Sequence, residues 1–493
     1  MSLAEVVRTE RVGAAEATYR VRVTEHPVLR DGGTVGHVVA TAYEVLIDGA
    51  PDARRPVVFA FNGGPVVASM WLHLGGLGPR MVPVPTDLGP TSPALVPQPD
   101  SLLDVADLVF LDPVGTGYAR PAEGADPAAV RGVDADARAV AGAVADWLEG
   151  ARRLVSPVHL LGESYGTVRA PLVAQVLLDQ PLSIACAGIV LLGQAVTIQE
   201  TAERPRNVVG QVAALPFMAA AAWFHGRRAL GLPDARLPDA DVTPRDSGTD
   251  PLPAVVAEAV AWAHRVYLPA LHAGSRLPAG ERDRVADGLA ARTGIAADEW
   301  RRRRLRLSKE EFRTLLLAER GLVLGRYDAR YVSPASTGPF DVDASTDRVS
   351  PAFVAAAVQC YAELGVPADR RYRPADEGAY GAWSWLPASA AHRLEASGTP
   401  SPFNVFDYAG VLEHLMAQRP DLRLFLGTGY FDSLTTVGAV EHLLAQTDLP
   451  ADRVRRREYP AGHMMYTDPG CRAALVADLR EFVARHADET QGA

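Results

Sequence analysis

Residues 158–178 constrain the fold more than any other stretch. Val158-His159-Leu160-Leu161 is an apolar run of strand character, and it stops at Gly162-Glu163-Ser164-Tyr165-Gly166. Thr167 to Leu178 follows, rich in Ala, Val and Leu, and reads as a helix. A turn that sharp forces its central residue into a strained backbone conformation. The flanking glycines lack the Cβ that would clash with strand and helix. The Ser164 hydroxyl is thereby held clear of the sheet, at a helix N-terminus whose partial positive charge favours a developing anion.

The surrounding segments agree. Pro56 to Phe61 and Leu108 to Asp112 are continuous apolar runs, as buried parallel strands should be. The first ends in Asn62-Gly63-Gly64-Pro65, a turn whose amides are free to face a ligand. Val130 to Glu149 has helical spacing of Val133, Ala137, Val140, Val144 and Trp147, and Gly188 to Leu192 is a further strand. Tyr19 to Val23 and Thr34 to Leu46 alternate apolar and polar residues, which predicts antiparallel edge strands. A long Pro- and Leu-punctuated loop is expected from Gly75 to Pro99. After about Gln199 the pattern turns mostly helical, with joints at Leu232 to Pro253 and Ser333 to Pro351. Strands resume at Leu422 to Leu426 and Val454 to Tyr459, and a helix from Cys471 to His486 closes the chain. Strands alternating with helices imply an α/β fold with a mostly parallel sheet. The expected division is a core in two parts, 1–199 and 403–493, with a helical cap inserted at 200–402.

Composition excludes several functions. The net charge of −10 argues against nucleic acid and anionic membrane as partners. Lys309 is the only lysine, which removes Schiff-base chemistry and a Gly-Lys-Ser/Thr phosphate loop. Arg301 to Arg304 lies among Asp298, Glu299, Glu310 and Glu311 and reads as a solvated charged face. Cys186, Cys360 and Cys471 are too far apart for a metal motif or a disulfide framework, and no cofactor or metal is expected. The first twenty residues have no apolar core, and Val208 to Phe224 is shorter than a bilayer span, so a soluble cytoplasmic protein is expected.

A serine hydroxyl needs a histidine to take its proton and a carboxylate to orient that histidine. His463 sits in a Pro/Gly loop directly after a predicted strand, where α/β sheets present catalytic groups. Asp432 follows the Leu422–Leu426 strand, although a helix cap is a common role for Asp at such a junction. The order Ser164, Asp432, His463 is the α/β-hydrolase order. Asp112 precedes the serine and reads as structural; His73 reads as pocket lining and His159 as half-buried in its strand.

Asn62-Gly63-Gly64-Pro65, Leu74-Gly75-Gly76-Leu77-Gly78-Pro79, Phe110 to Gly117, Gly162-Glu163-Ser164-Tyr165-Gly166 and Ala461-Gly462-His463-Met464 together resemble the serine carboxypeptidase family. Val323 to Arg330 looks like its bacterial branch. The resemblance implies an α/β-hydrolase core under a helical cap, with Ser164, Asp432 and His463 as a catalytic triad. It implies an oxyanion hole from the backbone amides of Gly64 and Tyr165. It also implies that Asn62 and Glu163 grip the C-terminal carboxylate of a peptide, which an acid can do only by sharing a proton. Two departures stand out. Val66-Val67 replaces the small residues usual after Asn-Gly-Gly-Pro, so the loop is expected to be reshaped or the pocket narrowed. Gly76 falls where secreted members carry an acid that helps bind the carboxylate. The expected activity is serine-type carboxypeptidase, acting on a peptide or peptide-like metabolite. The alternatives are an acyltransferase using the same acyl-enzyme, and a non-catalytic binding protein on the same fold.

Overall fold

The computed structural model describes residues 1–13, 15–179, 181–226, 252–335, 343–367, 369–385 and 407–491. Most of the Leu232–Pro253 joint, the middle of the Ser333–Pro351 joint and the expected 402/403 boundary lie outside the described residues.

A ten-stranded sheet organises the molecule. Its main strands are β1 (Ser2–Val12), β2 (Ala15–Arg30), β3 (Gly33–Ile47), β4 (Val57–Phe61), β5 (Asp107–Asp112), β6 (Val158–Glu163), β7 (Gly188–Leu192), β8 (Arg423–Gly429) and β9 (Val454–Tyr459). They lie in the order β1-β2-β3-β5-β4-β6-β7-β8-β9, with Ala50–Pro51 added beside β3. From β5 onward every pairing is parallel, and β1 to β3 form an antiparallel extension. The expected edge positions of β2 and β3 are therefore wrong. Ser2–Val12, which drew no strand prediction, forms the outer edge, and β3 lies between β2 and β5. The Gly75–Pro99 segment is not all loop either, since Arg80–Met81 pairs with Val96–Pro97.

Alternation along the buried strands feeds two cores. Val58, Ala60, Phe110 and Leu161 join one cluster with Phe353, Leu475 and Phe482. Val57, Phe59, Phe61 and Leu160 join the other, beneath helices α1 (Val133–Gly150) and α2 (Gly166–Leu178). Trp147 meets Phe59 edge-on at 5.4 Å.

Between β7 and β8 the chain builds a third core around helix α3 (Val208–Phe224), which is buried along almost its whole length. Its neighbours are α4 (Leu252–Trp262), α5 (Ala279–Thr293) and α6 (Lys309–Leu315). Tyr430, Phe431 and Val437, which follow β8, belong to the same cluster and tie the insertion to the sheet. The next helix, α7 (Ser350–Glu363), packs on the sheet core instead, through Phe353, Ala356 and Tyr361. Among the described residues no helix is long and apolar enough to cross a membrane.

Candidate active site

Strand register brings the two glycine turns together. Phe61 on β4 pairs with Gly162 on β6, so Asn62–Pro65 and Glu163–Gly166 emerge side by side. Ser164 adopts φ 58°, the strained elbow conformation. The flanking glycines are obligatory: a Cβ on Gly162 would lie 2.0 Å from the Gly166 carbonyl oxygen. One on Gly63 would lie 2.5 Å from the Tyr165 nitrogen, so the two turns touch through main chain. Gly64 and Tyr165 both line the cavity that contains Ser164. Neither amide is taken up by a turn or loop hydrogen bond among the described residues.

One side chain staples these turns. Arg169, buried in α2, donates to Asp136 on α1 at 2.7 and 3.1 Å, to the Asn62 carbonyl at 2.7 Å and to the Pro65 carbonyl at 2.6 Å. Its guanidinium also lies 5.1 Å from the Tyr165 ring centroid. Burial pushes the Asp136 carboxyl upward, and Arg169 draws it back. Sequence reasoning passed over Arg169, although a lone charge inside an apolar helix was a usable signal.

Asp432 and His463 follow the neighbouring strands β8 and β9, and both are buried. His463 Nδ1 and Asp432 Oδ2 are 2.7 Å apart, which makes Nδ1–H the donor and leaves Nε2 with its lone pair. The other Asp432 oxygen accepts the amides of Leu434 and Thr435 at 2.7 and 3.1 Å. Asp432 does not cap the following helix α8 (Val437–Ala445), whose N-cap is Thr436. Burial opposes charging of His463, but Asp432 and then Glu163 outweigh it and hold the imidazole above its ordinary pKa. Nε2 is buried without a hydrogen-bond partner, so no bond to Ser164 Oγ is made; both residues line the same cavity.

The insertion grips both loops. The Tyr327 carbonyl accepts the His463 amide at 2.6 Å, and the Tyr327 ring lies edge-on to the imidazole at 5.6 Å. The Arg326 carbonyl accepts the Ser433 hydroxyl at 2.6 Å. Lys309, half-buried, reaches the Leu434 carbonyl at 3.4 Å. Burial lowers the Lys309 pKa, while Glu203 and Asp432 pull it back.

Beside Ser164, Asn62 Nδ2 donates to Glu163 Oε1 at 3.0 Å, and Asn62 Oδ1 accepts the Leu72 amide at 3.1 Å. Glu163 Oε2 is buried without a hydrogen-bond partner. Burial drives the Glu163 carboxyl up against the opposing pull of His463, Tyr466 and Asn62. The Tyr466 hydroxyl faces Glu163 and Asn62 but falls short of hydrogen-bond geometry to either. Tyr466 also explains Gly76, where a Cβ would lie 2.4 Å from the tyrosine's own Cβ. No acid fits there, and a phenol fills the space.

The cavity measures about 990 Å³ and is walled by Trp71, Tyr327, Tyr380, Trp385 and Tyr408. Val67 lines it, whereas Val66 turns into the core beneath α1, so only one of the two valines borders the ligand space. Ala68 and Asp376 amides bond across to the Pro374 and Val66 carbonyls at 2.9 and 3.0 Å, tying this loop to residues 374–376. His73 does not line the cavity as expected. It is buried against Phe110 and the Tyr43 hydroxyl, 2.7 Å from Nε2, and burial holds its pKa near 3. Asp112 accepts the Ser69 amide at 2.7 Å, with burial pushing its carboxyl to about 7. His159 is buried in β6 rather than half-buried. Among the described residues no acid, histidine and cysteine cluster could hold a metal.

The serine carboxypeptidase family model matches residues 46–200. No curated protein sequence matches the chain. The structure of Kex1(delta)p, a prohormone-processing carboxypeptidase from Saccharomyces cerevisiae, aligns over 96% of this chain and 92% of its own, at 13% identity and a TM-score of 0.54. A proline iminopeptidase from Mycobacterium smegmatis aligns over 95% and 99%, at 11% identity and a TM-score of 0.38. Fold and family segment define the class: a serine hydrolase on an α/β-hydrolase core. Within that class, residues 46–200 are similar to the serine carboxypeptidase family.

Proposed function

We propose that this serine hydrolase is a carboxypeptidase that removes the C-terminal residue of a peptide or peptide-like metabolite through an acyl-enzyme. Ser164 Oγ attacks the scissile carbonyl carbon while His463 Nε2 takes its proton, and Asp432 holds the imidazole through Nδ1. The Gly64 and Tyr165 amides receive the oxyanion. His463 returns the proton to the departing amine; water, activated by the same nitrogen, then releases the acyl group. Catalytic hydrogen bonds of this kind tighten when substrate binds, so the open Ser164–His463 contact is compatible with the proposed proton transfer.

The observation that carries the carboxypeptidase reading is Glu163 Oε2, an unpartnered carboxyl oxygen buried beside the nucleophile. Burial favours its protonated form, which can donate to a substrate carboxylate where a charged one would repel it. The signs follow. Peptide cleavage is lost as pH rises through the raised Glu163 pKa and also as pH falls through that of His463. Cleavage of small neutral esters keeps only the His463 limb. Glu163→Gln should therefore abolish the alkaline loss for peptides and spare ester turnover. Because Glu163 also raises the His463 pKa, the ester's acid limb should move to lower pH. Pairs of pH–rate profiles measure both, and an unchanged peptide profile refutes the role of Glu163.

Acyl transfer is a second reading, supported by Val67 in the cavity wall. An added amine would then divert the acyl group, and product analysis with and without the amine separates the two.

A further inference from the structure

We propose that the insertion carries a second site, for a small multiply charged phosphate compound, in a cationic cavity that shares no residue with the one around Ser164. The cavity measures about 870 Å³, within the size range of small-molecule sites. Arg206, Arg276, Arg282, Arg303, Arg304 and Arg306 line it, with His272 at its wall, and no described Asp or Glu does.

The neighbouring arginines show what an ordinary solvated face looks like. Arg301 pairs with Asp283, Asp287 and Asp298, and Arg302 with Glu299. Arg303, on the boundary, pairs with Glu299 and Glu311. Beyond it the pattern stops. Arg206, Arg276 and Arg304 make no ion pair with a described residue. Arg282 and Arg306 donate only to the main-chain carbonyls of Leu277 and Arg304, at 3.0 and 3.2 Å. Arg306 Nε is buried with no hydrogen-bond partner among the described residues.

The backbone bends to make this arrangement. Arg206, Arg304 and Leu305 have φ of 66°, 53° and 63°, values that non-glycine residues adopt at a cost. The Leu305 turn is pinned by its amide to the Trp300 carbonyl at 2.8 Å and by the Tyr267 hydroxyl on its own carbonyl at 2.6 Å. Gathering cations that mostly lack a carboxylate partner among the described residues into a concavity is unfavourable unless an anion enters. On a chain of net charge −10 the gathering is local, not a by-product of a basic surface. Guanidinium forks match phosphate oxygens bidentately, as they do carboxylates, but a phosphate compound packs more charge into a small volume than a polycarboxylate does. A concave site on an acidic protein favours a small ligand over a nucleic-acid backbone.

Titration calorimetry of the full chain with inorganic pyrophosphate at low ionic strength tests this. Saturable binding at one site per chain is expected, with citrate and chloride at matched ionic strength binding far more weakly. Arg276→Ala and Arg304→Ala, both at exposed positions, should each weaken pyrophosphate about tenfold, the worth of one charged hydrogen bond. Ester turnover without pyrophosphate should stay unchanged in both, which certifies their folding. No saturable binding, equal affinity for citrate, or affinity unaffected by either substitution would overturn the proposal. Tighter binding of a single-stranded oligonucleotide than of pyrophosphate would overturn it in favour of a nucleic-acid face.

Discussion

Around Ser164 and Gly64 the geometry is set by main chain, whereas around Asp432 and His463 it is set by side chains and by a distant part of the sequence. The first half is two glycine turns in van der Waals contact, locked by the Arg169 guanidinium from below. All of it comes from residues 57–178. The second half is two loops on adjacent strands, each held by the insertion: Tyr327 on the His463 loop, Arg326 and Lys309 on the Asp432 loop. A rigid pair of turns carrying Ser164 and the Gly64 amide thus faces an imidazole–carboxylate pair whose placement depends on the insertion. The difference suggests that damage to the first half acts as a switch and damage to the insertion's grip acts as a dial.

The largest effect should come from Ser164→Ala, which is expected to cut turnover about 10⁶-fold, because the members of the proposed triad would act as a unit. Retained activity near wild type, measured by active-site titration and steady-state kinetics, would remove the basis of the comparison. Asp432→Asn should follow at about 10⁴-fold, since the amide favours the wrong imidazole tautomer. Arg169→Met comes next and tests the main-chain half. It leaves Asp136 buried without its partner, so a loss of about 3–5 kcal/mol in unfolding free energy is expected. The folded fraction should also lose about 10²-fold in ester kcat as the Gly64 amide drifts. Lost stability with full kcat would show that the turns hold themselves. The smallest effect belongs to Lys309→Met. Removing a cation beside Asp432 favours the imidazolium, so the acid limb of the ester profile should move to higher pH by a fraction of a unit. A large fall in kcat instead would make the insertion's grip as decisive as the elbow.

What could be read from the chain alone was everything written into local pattern. The apolar runs of β4 to β7 and the Gly-x-Ser-x-Gly turn are local in sequence, and steric rules tie each to one conformation; Asp432 and His463 were legible only as loop residues directly after predicted strands. The edge strand Ser2–Val12 escaped because a half-exposed strand carries a weak apolar signal and gains its identity only from its partner. Only the tertiary structure decided that Tyr466 fills the space at Gly76, that Val66 turns inward while Val67 does not, and that Arg304 parts company with Arg301 and Arg302. In each case the deciding contact joins residues far apart in the chain, or depends on a backbone turn that no single residue type announces. Burial did the rest: whether Glu163 is a surface acid or a proton donor depends on the water its neighbours exclude.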